Sequence, residues 1–108
     1  MKQRLIGAAA LVLVAPMAAA TNSPSPDAGR DLAAACAICH GTNGWSAGGR
    51  LPHLAGQPQE YLVRQMRDFR DGKRPATIMT QIAKGYTEEQ YQLIAAFFAS
   101  QKTKRGAP

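Results

Sequence analysis

Two thiols followed at once by a histidine, Cys36-Ala37-Ile38-Cys39-His40, form a C-x-x-C-H arrangement. Thiols at that spacing can add across the two vinyl groups of a haem to give thioethers. The adjacent histidine then lies under the porphyrin as an axial iron ligand. Other readings of C-x-x-C require partners that this chain does not supply. Zinc needs a second ligand pair, whereas the chain has two cysteines and, besides His40, only His53. A thioredoxin-like redox pair belongs after a strand, and no strand pattern precedes these residues. A disulfide closing so short a loop stabilises little. The residues point to one haem c, covalent through Cys36 and Cys39, with His40 as a metal ligand.

The far face of that iron needs its own account, and the candidates are Met66, Met79, His53, several lysines or an open position. Met66 falls on the apolar stripe of a helix, where a methionine fills core. His53 follows Pro52 in a loop and suits a surface or hydrogen-bonding role. Met79 follows Lys73-Arg74-Pro75-Ala76 and precedes the last helix, which places it on a flexible connection able to approach the haem opposite His40. A thioether is a soft, neutral ligand that favours Fe(II) and raises the reduction potential. With His40 and Met79 as ligands the iron would exchange electrons without binding substrate.

The elements that must hold these groups read as helices and loops. Asp27 can cap a helix that runs into the haem motif, with Gly29, Leu32 and Ala33 on one face. Glycine within a helix costs about 1 kcal/mol relative to alanine, so Gly29 should serve a close helix crossing. Gly41 to Gly56 is rich in glycine and reads as a loop on the His40 side. Pro58 suits the first position of a second helix, with Tyr61, Leu62, Met66 and Phe69 as its apolar stripe and Gly72 as its end. Thr87-Glu88-Glu89-Gln90 is a capping box for a last helix that buries Tyr91, Ile94, Phe97 and Phe98. Nothing alternates like a strand, so the fold class is all-α. Trp45, Tyr61 and Tyr86 have polar tips that could reach haem propionates or backbone.

Residues 1–20 have the parts of a secretory signal: Lys2 and Arg4, the apolar run Leu5 to Ala15, and the A-x-A site Ala18-Ala19-Ala20. The run falls short of the roughly 20 apolar residues that span a bilayer, so no stable membrane insertion is expected after cleavage. Residues 21–26 read as a flexible leader, 27–101 as one domain and 102–108 as a disordered tail. Cleavage leaves about 88 residues, near the size at which a protein-only core is marginal, and a buried haem would supply the missing apolar centre. The formal charge of +6 falls to about +4 when the signal's two basic residues leave, and ionised propionates reduce it further. That is no nucleic-acid signature. Arg64, Arg67, Arg70, Lys73 and Arg74 recur beside Asp68 and Asp71, as on a solvated helix face or a docking patch for an acidic partner.

Taken together these residues resemble class I c-type cytochromes across nearly the whole mature chain. In that family the first and last helices cross at a glycine and an aromatic, here Gly29 and Phe97. Pro52, twelve residues after His40, matches the proline whose carbonyl accepts the ligand histidine's Nδ1 proton. The segment Thr77-Ile78-Met79-Thr80-Gln81-Ile82-Ala83-Lys84-Gly85-Tyr86-Thr87 is similar to the cytochrome subunit of flavocytochrome c sulfide dehydrogenase, as are Leu54-Ala55-Gly56-Gln57 and Asp68-Phe69-Arg70-Asp71-Gly72. Two-haem periplasmic cytochromes share a looser version of the pattern. The resemblance implies a periplasmic electron carrier rather than an enzyme, with a sulfide-oxidising flavoprotein as partner. A free shuttle between other redox proteins is the alternative, and a peroxidatic or ligand-binding haem would require an open distal face. Ile78 and Ile82 would either form an apolar docking patch near Met79 and Tyr86 or pack against the porphyrin.

Overall fold

The computed structural model describes residues 6–19 and 26–102. Residues 21–25 of the expected leader and 103–108 of the expected tail lie outside the described residues, as do residues 1–5 and 20 of the expected signal. Four helices follow in order: α1 (Arg30–His40), α2 (Gln59–Arg70), α3 (Met79–Lys84) and α4 (Glu88–Ser100). Single 3-10 turns occupy Pro26–Gly29, Thr42–Gly44 and Ala47–Gly49. No strand occurs among the described residues, in keeping with the all-α reading.

The capping box forms as expected and fixes the start of α4. Thr87 Oγ1 accepts from the Gln90 amide at 3.2 Å, and the Gln90 side chain accepts from the Thr87 amide at 2.9 Å. Beyond it α4 buries Tyr91, Ile94, Ala95, Phe97 and Phe98. The turn Pro26–Gly29 lies against this helix. A Cβ added to Gly29 would fall 1.9 Å from the Leu93 carbonyl oxygen and 3.1 Å from Phe97 Cβ, so only glycine allows this approach. The Gly29 and Phe97 crossing is present.

Three local expectations change. Asp27 does not cap α1; its carboxylate pairs with Arg30 at 2.8 Å. The chain is already turning at Pro26, so Asp27 sits inside a helical turn and meets its i+3 neighbour. Pro58 is the N-cap of α2, with an extended ψ of 135°, rather than its first helical residue. On α2 the fully buried residues are Leu62 and Val63, while Tyr61 remains exposed and Met66 and Phe69 are half-buried. The stripe is there, but part of it faces a cavity.

Tyr91 ties the last two helices together. It is wholly buried, and its hydroxyl donates to the Ala83 carbonyl of α3. Tyr91→Phe removes that donor and leaves the Ala83 carbonyl with the longer bond from the Tyr86 amide at 3.3 Å, a loss of about 1 kcal/mol. A denaturant melt of the holoprotein should show the midpoint falling while the haem content is unchanged.

On the surface, Glu88 at the start of α4 takes Arg67 at 2.8 Å and Arg70 at 2.6 Å from α2, and Arg70 also holds Asp71 at 2.9 Å. Hydrogen bonds from Arg67 and then Arg70 lower the Glu88 pKa, and Arg70 lowers that of Asp71. A carboxylate depressed in the folded state adds stability above its unfolded pKa, and that stability is lost as pH falls through the folded value. Glu88→Gln should therefore lower the melting temperature slightly at neutral pH. The gap to wild type should close below the ordinary glutamate range, roughly pH 4. Thermal melts of both proteins across that interval check the sign.

Residues 6–19 have no regular structure, and Ile6, Leu11, Val12, Leu13, Val14 and Met17 make no core contact and are exposed. Among the described residues, no helix is long and apolar enough to cross a membrane.

Candidate functional site

His40 ends α1 and is buried. Its Nδ1 donates to the Pro52 carbonyl at 3.0 Å, which orients the ring and leaves Nε2 as the free nitrogen of the neutral tautomer. Immediately after it the backbone turns away at Gly41 with a φ of +85°, where a Cβ would fall 1.6 Å from the Trp45 carbonyl oxygen. The loop carrying Pro52 is pinned at several points. Leu54 and Ala55 amides both donate to the Gly44 carbonyl at 2.9 and 3.3 Å, and the Gly56 amide donates to Phe98 at 2.9 Å. A glycine-rich segment is thereby held firmly enough to position one carbonyl.

Cys36, Cys39, His40, Pro52 and Met79 all border one cavity of about 400 Å³. Its walls include Leu54, Leu62, Met66, Ile94 and Phe98. Both cysteines are free thiols, Cys36 half-buried and Cys39 exposed. Burial pushes the Cys36 thiol pKa up, with the neighbouring Cys39 adding to it. A neutral thioether suits that apolar wall better than a thiolate would.

Met79 is not on a flexible connection: it is the first residue of α3 and half-buried. The chain folds into a helix there because Ile78 already has helical φ/ψ, and the Ile82 amide returns to the Ile78 carbonyl at 3.2 Å. Met66 borders the same cavity but also packs against the core. His53 Nδ1 accepts from the Ser46 amide at 2.9 Å, and its ring lies 4.8 Å from that of Trp45, matching the hydrogen-bonding role. The Trp45 indole donates to the Lys102 carbonyl at 3.0 Å, so Lys102, expected in the tail, is held by the domain, and Trp45 spends this donor on backbone. Tyr61 and Tyr86 line the cavity. Ile78 and Ile82 border it as well, yet remain 61% and 36% exposed.

Arg74, expected with Arg64, Arg67, Arg70 and Lys73 on a solvated face or docking patch, stands apart from them. Arg74 lines the cavity, with its guanidinium 4.6 Å over the Phe69 ring and one nitrogen donating to Gln65 Oε1. Pro75 was the available signal. It bars the residue before it from helical conformation, so helical spacing could not be extended to Arg74.

The cytochrome c family model matches residues 26–102, and the chain belongs to that family. It is 44% identical over 79 residues to cytochrome c4 of Pseudomonas aeruginosa, which covers 73% of this chain but only 39% of that protein. It is 35% identical to the cytochrome subunit of sulfide dehydrogenase of Chlorobaculum tepidum, over 93% of this chain and 98% of that one. The crystal structure of reduced recombinant cytochrome c4 from Pseudomonas stutzeri superposes with a TM-score of 0.68 at 32% identity, over 74% of this chain and 47% of that chain. The chain thus spans less than half of the cytochromes c4 it matches. The fold is a class I cytochrome c domain, and its cofactor is haem c joined through Cys36 and Cys39. The site fits that group: two thiols on one wall, an imidazole with Nε2 left free by Pro52, and apolar side chains around them.

Proposed function

We propose that this chain is a periplasmic electron carrier with His40 and Met79 as its iron ligands, serving as the haem subunit of a sulfide-oxidising flavoprotein. Haem supplies one reversible electron site. His40 presents Nε2 from a ring fixed by Pro52, and that hydrogen bond increases the basicity of the imidazole. Met79 contributes a neutral sulfur from the first turn of α3, a helix tied to the core through Tyr91. The apolar wall of Leu54, Leu62, Ile94 and Phe98 would keep water from the bound haem and favour its less charged reduced state. With His40 and Met79 both holding the iron, the chain would relay electrons and leave sulfide chemistry to the partner.

The observation that carries the subunit reading is the end-to-end correspondence with the Chlorobaculum tepidum protein, where the cytochromes c4 match only in part. Ile78 and Ile82 border the cavity, where they would either pack against the porphyrin or meet such a partner. The free-shuttle reading has its own support: cytochrome c-554(548) of Halomonas halodenitrificans is 38% identical over 69% of this chain and 94% of its own length. Export is supported by the signal-like residues 1–20, whose described apolar side chains stay outside the core. The test is to express the chain with and without the candidate flavoprotein and follow sulfide-dependent haem reduction. Rapid reduction only in a co-purified complex supports the subunit. Fast exchange with unrelated redox proteins and no stable complex supports the shuttle.

A further inference from the structure

Arg74 is, among the described residues, the one lysine or arginine lining the cavity, and no aspartate or glutamate lines it. Among the described residues it joins no ion pair, although Arg67 and Arg70 on the same stretch of chain are both paired with carboxylates. Its position is nevertheless fixed. The Arg74 amide donates to the Asp68 carbonyl at 3.1 Å, its guanidinium stacks on Phe69, and Gln65 accepts one of its N–H groups. Each of these contacts is neutral, so the charge is held without being neutralised, and a guanidinium has donors to spare after one hydrogen bond. Arg74 is half-buried, so its remaining donors stand at the rim of the cavity, where an anionic group of the bound ligand can take them.

We propose that Arg74 is the counter-ion of a haem propionate, with Gln65 and Phe69 as its positioning residues. Two consequences follow from the charge alone. A cation near the porphyrin favours the reduced iron, so the potential depends on Arg74. It also holds the propionate ionised, so the potential varies little with pH around neutrality. When Arg74 is replaced by a neutral residue, the uncompensated carboxylate opposes reduction at neutral pH. Protonation of that carboxylate in acid removes the penalty. The inference rests on the haem being bound and not on the identity of the redox partner.

The experiment is a spectroelectrochemical titration of haem-loaded wild type, Arg74→Gln, Arg74→Lys and Gln65→Leu from mildly acid to mildly alkaline pH. Arg74→Gln should lower the reduced-to-oxidised ratio at a fixed neutral poise by on the order of tenfold, the scale of losing one partly screened unit charge. Its potential should rise towards wild type as pH falls. Arg74→Lys should retain most of the wild-type potential and its flat pH profile, and Gln65→Leu should fall between. Wild-type potential and pH profile in Arg74→Gln would overturn the assignment. So would equal losses in the Gln and Lys variants, which would mark a packing role. If Arg74→Gln fails to mature, Gln65→Leu decides alone: a wild-type pH profile in that variant removes the proposal.

Discussion

Met79→Ala should abolish the weak charge-transfer band that a sulfur ligand gives oxidised low-spin haem, and should lower the reduction potential. The physical reason is the loss of a neutral, polarisable donor that stabilises Fe(II) more than Fe(III). The shift should be on the order of 100 mV or more, a modest part of the roughly 0.8 V that axial ligands span. Met66 is the control, because it borders the same cavity from the middle of α2 while packing against the core. Met66→Leu is a volume-conserving swap expected to cost less than about 1.5 kcal/mol and to keep both band and potential. Redox titration and absorption spectra of the two variants separate the roles. Loss of the band in Met66→Leu, with Met79→Ala unchanged, would reverse the assignment.

That Met79 stands on a helix could not be read from the sequence, and the reason is range. Its place between a Pro-bounded segment and the capping box at Thr87 is local information, and both boundaries are where they were expected. The six-residue helix α3 is too short to announce itself by periodicity, and it depends on tertiary anchors such as the Tyr91 hydroxyl on Ala83. The same division runs through the site. Cys36, Cys39 and His40 are adjacent in the chain, so their chemistry was legible at once. The Pro52 carbonyl on His40 came from family resemblance and is present at 3.0 Å. Arg74 and Gln65, nine residues apart on either side of the α2 terminus, meet only because the chain reverses at Gly72, and no helical spacing predicts that pair. Glu88 likewise read as part of a cap, and its pairing with Arg67 and Arg70 depends on how α2 and α4 pack.

Reversed signals are as informative as missing ones. Tyr61 and Met66 matched the apolar stripe of α2 by type and spacing, yet Val63 is the residue buried beside Leu62. The stripe was real, but it serves two surfaces, the protein core and the cavity wall, and hydrophobicity alone does not distinguish them. A chain this small can place several of its larger side chains against a cofactor instead of each other. Its buried apolar core is correspondingly short, centred on α4.

That dependence on α4 makes the Gly29 crossing the most sensitive point of the fold. Gly29→Ala places a methyl group where the Leu93 carbonyl oxygen would be 1.9 Å away, with its carbon at 2.6 Å. Both are backbone atoms, so no rotamer change relieves the clash and the Pro26–Gly29 turn must lift off α4. Overpacking of a tight interface costs about 1–3 kcal/mol, and a backbone obstacle belongs at the upper end. Against a total stability of about 5–15 kcal/mol for a domain, that is a large fraction. Gly85→Ala is the matched comparison, because its φ is −80° and the nearest atom a Cβ would meet is 3.3 Å away. It should lie within about 1 kcal/mol of wild type in either direction. Denaturant melts of the haem-loaded variants should show a markedly lower midpoint for Gly29→Ala alone. Because the turn precedes α1, which carries Cys36, Cys39 and His40, its displacement should also lower the yield of haem-loaded protein. Equal midpoints for the two variants would mean that the crossing can relax, and that glycine at this position is not what closes α1 against α4.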